Sequence, residues 1–279
     1  MPAFLVPLHE YNHCHNPDGA GGGQFCSEPG AGSPVSAKKA KGKIVTLDKP
    51  LTPEDERAVV GQVGAAEHLA TAMVEALPEE FVVRVAATSK GVLVRLVSPK
   101  VNVTRLLQRD HEGKLVAVHS NFELKSDLQA GGIAKDLMVA QLAEYERMGV
   151  DKIELSANLD VGGYAWARYG FKATKPGDLA SALLKTLGGE DKHKWMRPPT
   201  AEPGPTLSPE HREVLRQLIT KHQKDPKLPW IIADAQYNGV KIGKALLLKT
   251  HWEGFMDLHD AEAVGRMTRY LHRAKDTRH

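Results

Sequence analysis

The chain has 279 residues, 42% of them hydrophobic and 25% charged, ordinary values for a globular protein with its own core, which exclude wholesale disorder. Its 37 basic and 34 acidic residues leave a formal charge of +3, scattered and not striped, so there is no strong nucleic-acid signal, and no apolar run approaches the ~20 residues that span a bilayer. Two cysteines, Cys14 and Cys26, exclude a disulfide-stapled fold and make a reducing, cytoplasmic setting the default expectation.

Met1 to Val6 is too short and too Pro-broken for a signal peptide and has no basic start. Composition shifts near Lys43: the stretch before it is rich in Gly, Pro, Ser and Ala and has no periodic apolar face. Residues 1–43 therefore read as a flexible tail or linker. The His15–Gly19 segment with the following Gly-rich run to Phe25 resembles short N-terminal segments of phage-encoded proteins.

Thr52-Pro53-Glu54-Asp55 announces the first helix, with Thr52 expected to cap the amide of Asp55 and Pro53 at the first helical position. Val59, Val63, Ala66, Leu69, Ala70 and Met73 continue at helical spacing until Pro78. The period then changes. Phe81–Val85, Val92–Val97, Val101–Leu107 and Leu115–Leu124 read as strands, and their short connections predict an antiparallel meander of four.

Ile133, Leu137, Met138, Gln141, Leu142 and Tyr145 form one stripe of a helix that ends at Gly149. Ile153–Ala157 reads as a fifth strand, reached from the fourth by a right-handed crossover. A short helix follows at Ala165–Tyr169. Beyond Lys175 the spacing predicts helices near Leu179–Leu187, capped by Asp178, near Pro209–His222, capped by Ser208, and a last one capped by Asp260. Lys244–Leu248 fits strand or helix equally, and Trp252–Leu258 reads as aromatics packed on the core or as a protein-docking edge. The expected class is α/β: a mixed, mostly antiparallel sheet flanked by helices.

Chemistry is concentrated in Phe122-Glu123-Leu124-Lys125-Ser126-Asp127-Leu128-Gln129-Ala130-Gly131-Gly132-Ile133-Ala134. It runs from a strand end through a small-residue loop into a helix. With no bulky side chain from Ala130 to Gly132, a ligand can lie against bare backbone. The first helical amides are unpaired donors suited to phosphate. The glycines alone favour a plain tight turn; their context argues for the phosphate site.

This segment resembles the acyl-CoA-binding motif of the GNAT-type N-acetyltransferases, whose strand end is followed by Gln or Arg-x-x-Gly-x-Gly/Ala. Gln129, Gly132 and Ala134 match, Phe122 and Leu124 hold the strand-end positions, and the preceding meander and following strand are in family order. The resemblance covers about Leu51 to Lys175. It implies a GNAT-like sheet whose fourth strand is bulged and splays from the fifth. Pantetheine would hydrogen-bond to the backbone at Phe122 and Leu124, and pyrophosphate would sit on the amides of Ala130, Gly131, Gly132, Ile133 and Ala134. Asn158 resembles the family Asn that contacts CoA, at a spacing one residue longer than usual. Trp166-Ala167-Arg168-Tyr169-Gly170-Phe171 resembles the family's aromatic-x-x-x-Gly-Phe helix end. Many relatives have Tyr as a general acid where this chain has Trp166, whose indole N–H cannot serve as one.

On this reading residues 44–176 form the acyl-CoA-binding core and residues 177–279 a mostly helical extension. The expected activity is transfer of an acetyl group from acetyl-CoA, as co-substrate, to an amine by direct attack. His119 and Glu123 are the candidate bases, sharing one strand face if no bulge intervenes; a solvent-facing polar row is the plainer reading of each. The alternative is a non-catalytic GNAT-like structural or interaction protein, such as a virion component, with protein partners held through the tail or the C-terminal extension. His9, His13, Cys14, His15 and Cys26 are soft ligands, but their spacing fits no established zinc pattern, so no metal is expected. No membrane partner is expected either.

Overall fold

The structure, a computed structural model, describes residues 52–61, 65–77, 82–98, 100–124, 133–157, 162–188, 207–248 and 250–272. The expected tail lies outside them. The class is α/β, with mostly antiparallel strands flanked by helices. The described residues divide into two compact units, 52–152 with 271–272, and 153–270.

In the first unit Pro53 opens α1 (Pro53–Val59) as expected, and the carbonyl of Thr52 accepts from Glu56 N. The single helix expected from there to Pro78 is instead two. Gly61 takes φ +80, a left-handed conformation that stops α1. A second helix, α2 (Ala65–Glu75), follows. Glu56 Oε1 accepts from Ala66 N at 2.8 Å, so a buried carboxylate from one helix caps the start of the next. Ala66, Leu69, Ala70 and Met73, the expected stripe, are fully buried.

The meander is as expected. Strands β1 (Val82–Thr88), β2 (Gly91–Val97), β3 (Val101–Arg109) and β4 (Leu115–Leu124) pair in order, all antiparallel. One sheet face is buried, carrying Val83 and Val85, then Val92, Val94 and Leu96, then Val101, Val103 and Leu107. Helices α2 and α3 (Ile133–Met148) pack on each other in this unit, and the stripe expected for α3, Ile133 through Tyr145, is buried. Its end at Gly149 is also as expected: Val150 N bonds back to Tyr145 O and Gly149 has φ +70.

The second unit contains most of β5 (Lys152–Ala157), then α4 (Gly162–Tyr169), β6 (Lys172–Ala173), α5 (Pro176–Leu187), α6 (Pro209–His222), α7 (Leu228–Asp234), α8 (Ile242–Leu247), β7 (Trp252–Asp257) and most of α9 (Ala261–His272). Its strands lie in the order β5-β7-β6, with β6 and β7 antiparallel. Ser208 caps α6 by accepting from His211 N at 3.2 Å. Asp260 caps α9 by accepting from the amides of Glu262 and Ala263. Both follow the sequence expectation. Asp178 does not cap α5. The helix starts earlier because Pro176 already has the right φ, which leaves Asp178 in the first turn.

Trp252, Gly254 and Met256 alternate inward, so Trp252–Asp257 is a strand packed on the core and not an exposed edge. Two indoles are anchored by their N–H groups. Trp230 donates to Phe171 O at 2.7 Å, and Trp252 donates to Gly163 O at 3.2 Å. The ambiguous Lys244–Leu248 stretch is helical, within α8. That helix is buried at Ile242, Gly243, Ala245, Leu246 and Leu247, which leaves too narrow a polar face for periodicity to show.

Gly243 is where α8 meets α7. A Cβ there would lie 1.5 Å from Ile232 O, whereas nothing lies within 4 Å of a Cβ on Gly177. Gly243→Ala should therefore lower stability by about 3 kcal/mol, because backbone must part to admit the methyl. Gly177→Ala should be neutral or stabilising by up to about 1 kcal/mol through the unfolded state. Urea unfolding of the two variants beside the wild type reads both.

Candidate functional site

The predicted motif begins on β4, and the pairing of β3 with β4 defines its geometry. Val101, Asn102, Val103 and Thr104 pair with Leu124, Glu123, Phe122 and Asn121; the next pair is Arg105 with His119. Ser120 has no opposite residue, so it is a β-bulge. Directly paired residues share a sheet face, so His119, Phe122 and Leu124 lie on the buried face with Arg105. Glu123 lies on the other face with Asn102 and is exposed. The shared face expected for His119 and Glu123 without a bulge is absent: one extra residue inverts the alternation.

Ile133 and Ala134 open α3, Ile133 buried and Ala134 half-buried. Gln129, Ala130, Gly131 and Gly132, and Asn158 after β5, lie outside the described residues. Trp166 in α4 is buried among aromatic rings, with centroids 5.5 Å from Tyr169 and 5.3 Å from Phe171. Tyr164 is half-buried and accepts from Arg168 Nη1 at 3.1 Å. The His9–Cys26 set lies outside the described residues, among which no three His, Cys, Asp or Glu side chains group to hold a metal. No described helix is long and apolar enough to cross a membrane.

A polar cluster whose members are far apart in the sequence sits in the first unit. Arg105 and Gln141 are fully buried and His119 is 3% exposed. Arg105 Nε donates to Gln141 Oε1 at 2.5 Å. Arg105 Nη1 donates to Thr104 O at 2.9 Å and Asn121 O at 2.8 Å, the carbonyls beside the bulge. The guanidinium also lies over the Phe122 ring, 5.4 Å from its centroid. His119 Nε2 and the Tyr145 hydroxyl are 2.9 Å apart, and the hydroxyl donates to Gln141 Oε1 at 3.4 Å. A readable signal existed: Arg105 occupies an inward position of the alternation Val101, Val103, Arg105, Leu107.

Burial dominates the cluster's titration. It lowers the Arg105 pKa to about 10, partly offset by Tyr145. The shift corresponds to about 3 kcal/mol of uncompensated charge burial. Burial raises the Tyr145 hydroxyl to about 12. It pushes His119 well below 6.5, helped by the nearby Arg105 charge. At neutral pH the cluster thus has a charged arginine, a neutral histidine with a lone pair and a protonated tyrosine. It can donate hydrogen bonds to an oxygen acceptor, and the imidazole is in the form a base requires.

Comparison with family models, with curated proteins and with solved structures found no match for this chain. The chemistry rests on the residues themselves, and His119 offers a direct check. Below about pH 6.5 the unfolded chain takes up a proton that the folded imidazole refuses, so stability should fall with pH. The slope approaches about 1.4 kcal/mol per pH unit until the folded pKa is reached. Asp110, Glu112, Glu210, Glu213 and Asp260 have lowered pKa values and lose their contributions only at lower pH. Urea unfolding at about pH 7.5 and pH 5.5 should give a smaller pH dependence for His119→Gln than for the wild type; equal dependence would refute the burial of a neutral imidazole.

Proposed function

We propose that the chain binds acetyl-CoA and transfers its acetyl group to an amine. The observation that carries this reading is the order of parts around β4. A strand bulged at Ser120 ends at Phe122-Glu123-Leu124, and the sequence Gln129-Ala130-Gly131-Gly132-Ile133-Ala134 leads into α3. Small residues at a helix start suit pyrophosphate, because amides without intrahelical partners point at the ligand and no side chain intervenes. Pantetheine takes the strand-end backbone at Phe122 and Leu124.

Transfer proceeds by direct attack. The amine lone pair forms the new C–N bond at the thioester carbon, the C–S bond breaks, and CoA leaves as a thiolate. The attacking nitrogen loses one proton to a base and the thiolate gains one. Glu123 and His119 are the candidate bases: Glu123 is accessible, while His119 is neutral and buried. Trp166 supplies no proton.

Trp166 also favours a second reading, a GNAT-like module that binds CoA or a protein partner without catalysis. Its position among Tyr169 and Phe171 is that of a packing residue. In that role the chain is a structural component, of a virion for example, held to partners through the N-terminal tail or the C-terminal extension.

Calorimetric titration of the full chain with acetyl-CoA should show binding at one site. Gly132→Glu should abolish it, since the carboxylate both fills the phosphate site and repels it. Mass spectrometry of an amine panel incubated with acetyl-CoA then separates the readings: acetylated product supports the transferase, and binding without product supports the module. A wild-type chain that binds no CoA would sink the acyl-CoA reading altogether.

A further inference from the structure

Arg105 is a full positive charge inside a protein core, and among the described residues no carboxylate pairs with it. Buried arginines are ordinarily matched by a carboxylate that accepts two parallel hydrogen bonds. Here the partner is Gln141, whose amide offers only one oxygen, already used by Arg105 Nε. The neighbouring donor on that edge of the guanidinium, Nη2, is buried with no hydrogen-bond partner among the described residues, and so is Gln141 Nε2. The amide cannot be turned to cure this, because its nitrogen would then face Arg105 Nε, donor against donor. Two buried donors, on strand and helix, thus lack an acceptor beside an unneutralised charge. In native structures such groups are satisfied, by protein, water or ligand.

We propose that this cluster is a binding site for one small monocarboxylic acid, held by Arg105 Nη2 and Gln141 Nε2. A carboxylate brings the two missing acceptor oxygens and one negative charge. The charge count selects the ligand class. His119 is neutral and Tyr145 protonated at neutral pH, so among the described residues Arg105 supplies the cluster's only charge. A monoanion balances it, whereas a phosphate dianion would leave a buried negative charge. Arg105 and Gln141 are fully buried, so a ligand that reaches both has to be enclosed, which restricts it to an acid of a few heavy atoms. The proposal does not rest on acyl transfer: its two donors, Arg105 Nη2 and Gln141 Nε2, belong to no residue of the CoA motif, although the cluster also holds His119, a candidate base of that reading.

The test uses the full chain with sodium acetate as the probe. Wild-type melting temperature should rise by a few degrees with increasing acetate against sodium chloride at equal ionic strength. Inorganic phosphate should not reproduce the rise. Carbon-13 acetate should show a saturable line-shape change. Arg105→Met should weaken acetate binding at least about ten-fold by removing a charge-assisted hydrogen bond. Gln141→Glu covers the case in which that variant fails to fold. It supplies the carboxylate within the chain, so it should melt higher than the wild type without acetate and no longer respond to it. A wild type already loaded with an endogenous acid should release one equivalent on denaturation, detected by mass spectrometry, and that too supports the site. The proposal is overturned if the wild type neither responds to acetate nor releases an acid. It is also overturned if phosphate matches acetate, or if a folded Arg105→Met or Gln141→Glu keeps the acetate response.

Discussion

One extra residue in β4 sets the character of the first unit. Inserting Ser120 breaks the β3–β4 ladder between Thr104 and Arg105, and a broken ladder leaves backbone carbonyls that need donors. Arg105 provides them by turning Nη1 back onto Thr104 O and Asn121 O. Guanidinium burial and strand bulge are therefore two sides of one arrangement. Removing the arginine strands the carbonyls, and removing the bulge aims the residues after His119 at the wrong face. Gln141 and Tyr145 then follow, one turn apart on α3, because a polar group in an apolar layer calls for further polar groups to complete it.

Much of the fold was legible because its elements are half-buried. The four-strand meander shows as alternation and the α3 stripe as a helical period, and both reflect one face in the core and one outside. Signals failed where that asymmetry fails. Helix α8 is buried on most of its surface and gave no period. Strand β7 alternates Trp252, Gly254 and Met256 inward, but a glycine among the inward residues hides the pattern. Residues 53–75 read as one helix because the stripe continues across the break. What divides it is Gly61 and a cap contributed by Glu56, which lies ten residues before the amide it bonds.

The site was less legible than the fold, for a related reason. The motif at Phe122 to Ala134 is local and can be quoted from the sequence. The buried cluster draws on β3, β4 and α3, with Arg105 and Gln141 separated by 36 positions. Arg105 showed as a charge at an inward strand position and Gln141 as an amide within the buried helix stripe, but nothing in the sequence paired them. Whether His119 faces the core depends on register, and the bulge that fixes its relation to Glu123 has no sequence mark: Ser120 is an unremarkable strand residue.

The bond from Ala66 to Glu56 has a consequence for how this part of the chain opens. A seven-residue helix is far too short to persist alone in water. Since the carboxylate that satisfies α2 is built into α1, fraying α1 uncovers an α2 amide that the core has no other means to solvate. The two short helices therefore form one cooperative element. The amide hydrogen of Ala66 should then exchange with solvent only as α1 opens, so the first described helix reports on the integrity of the second.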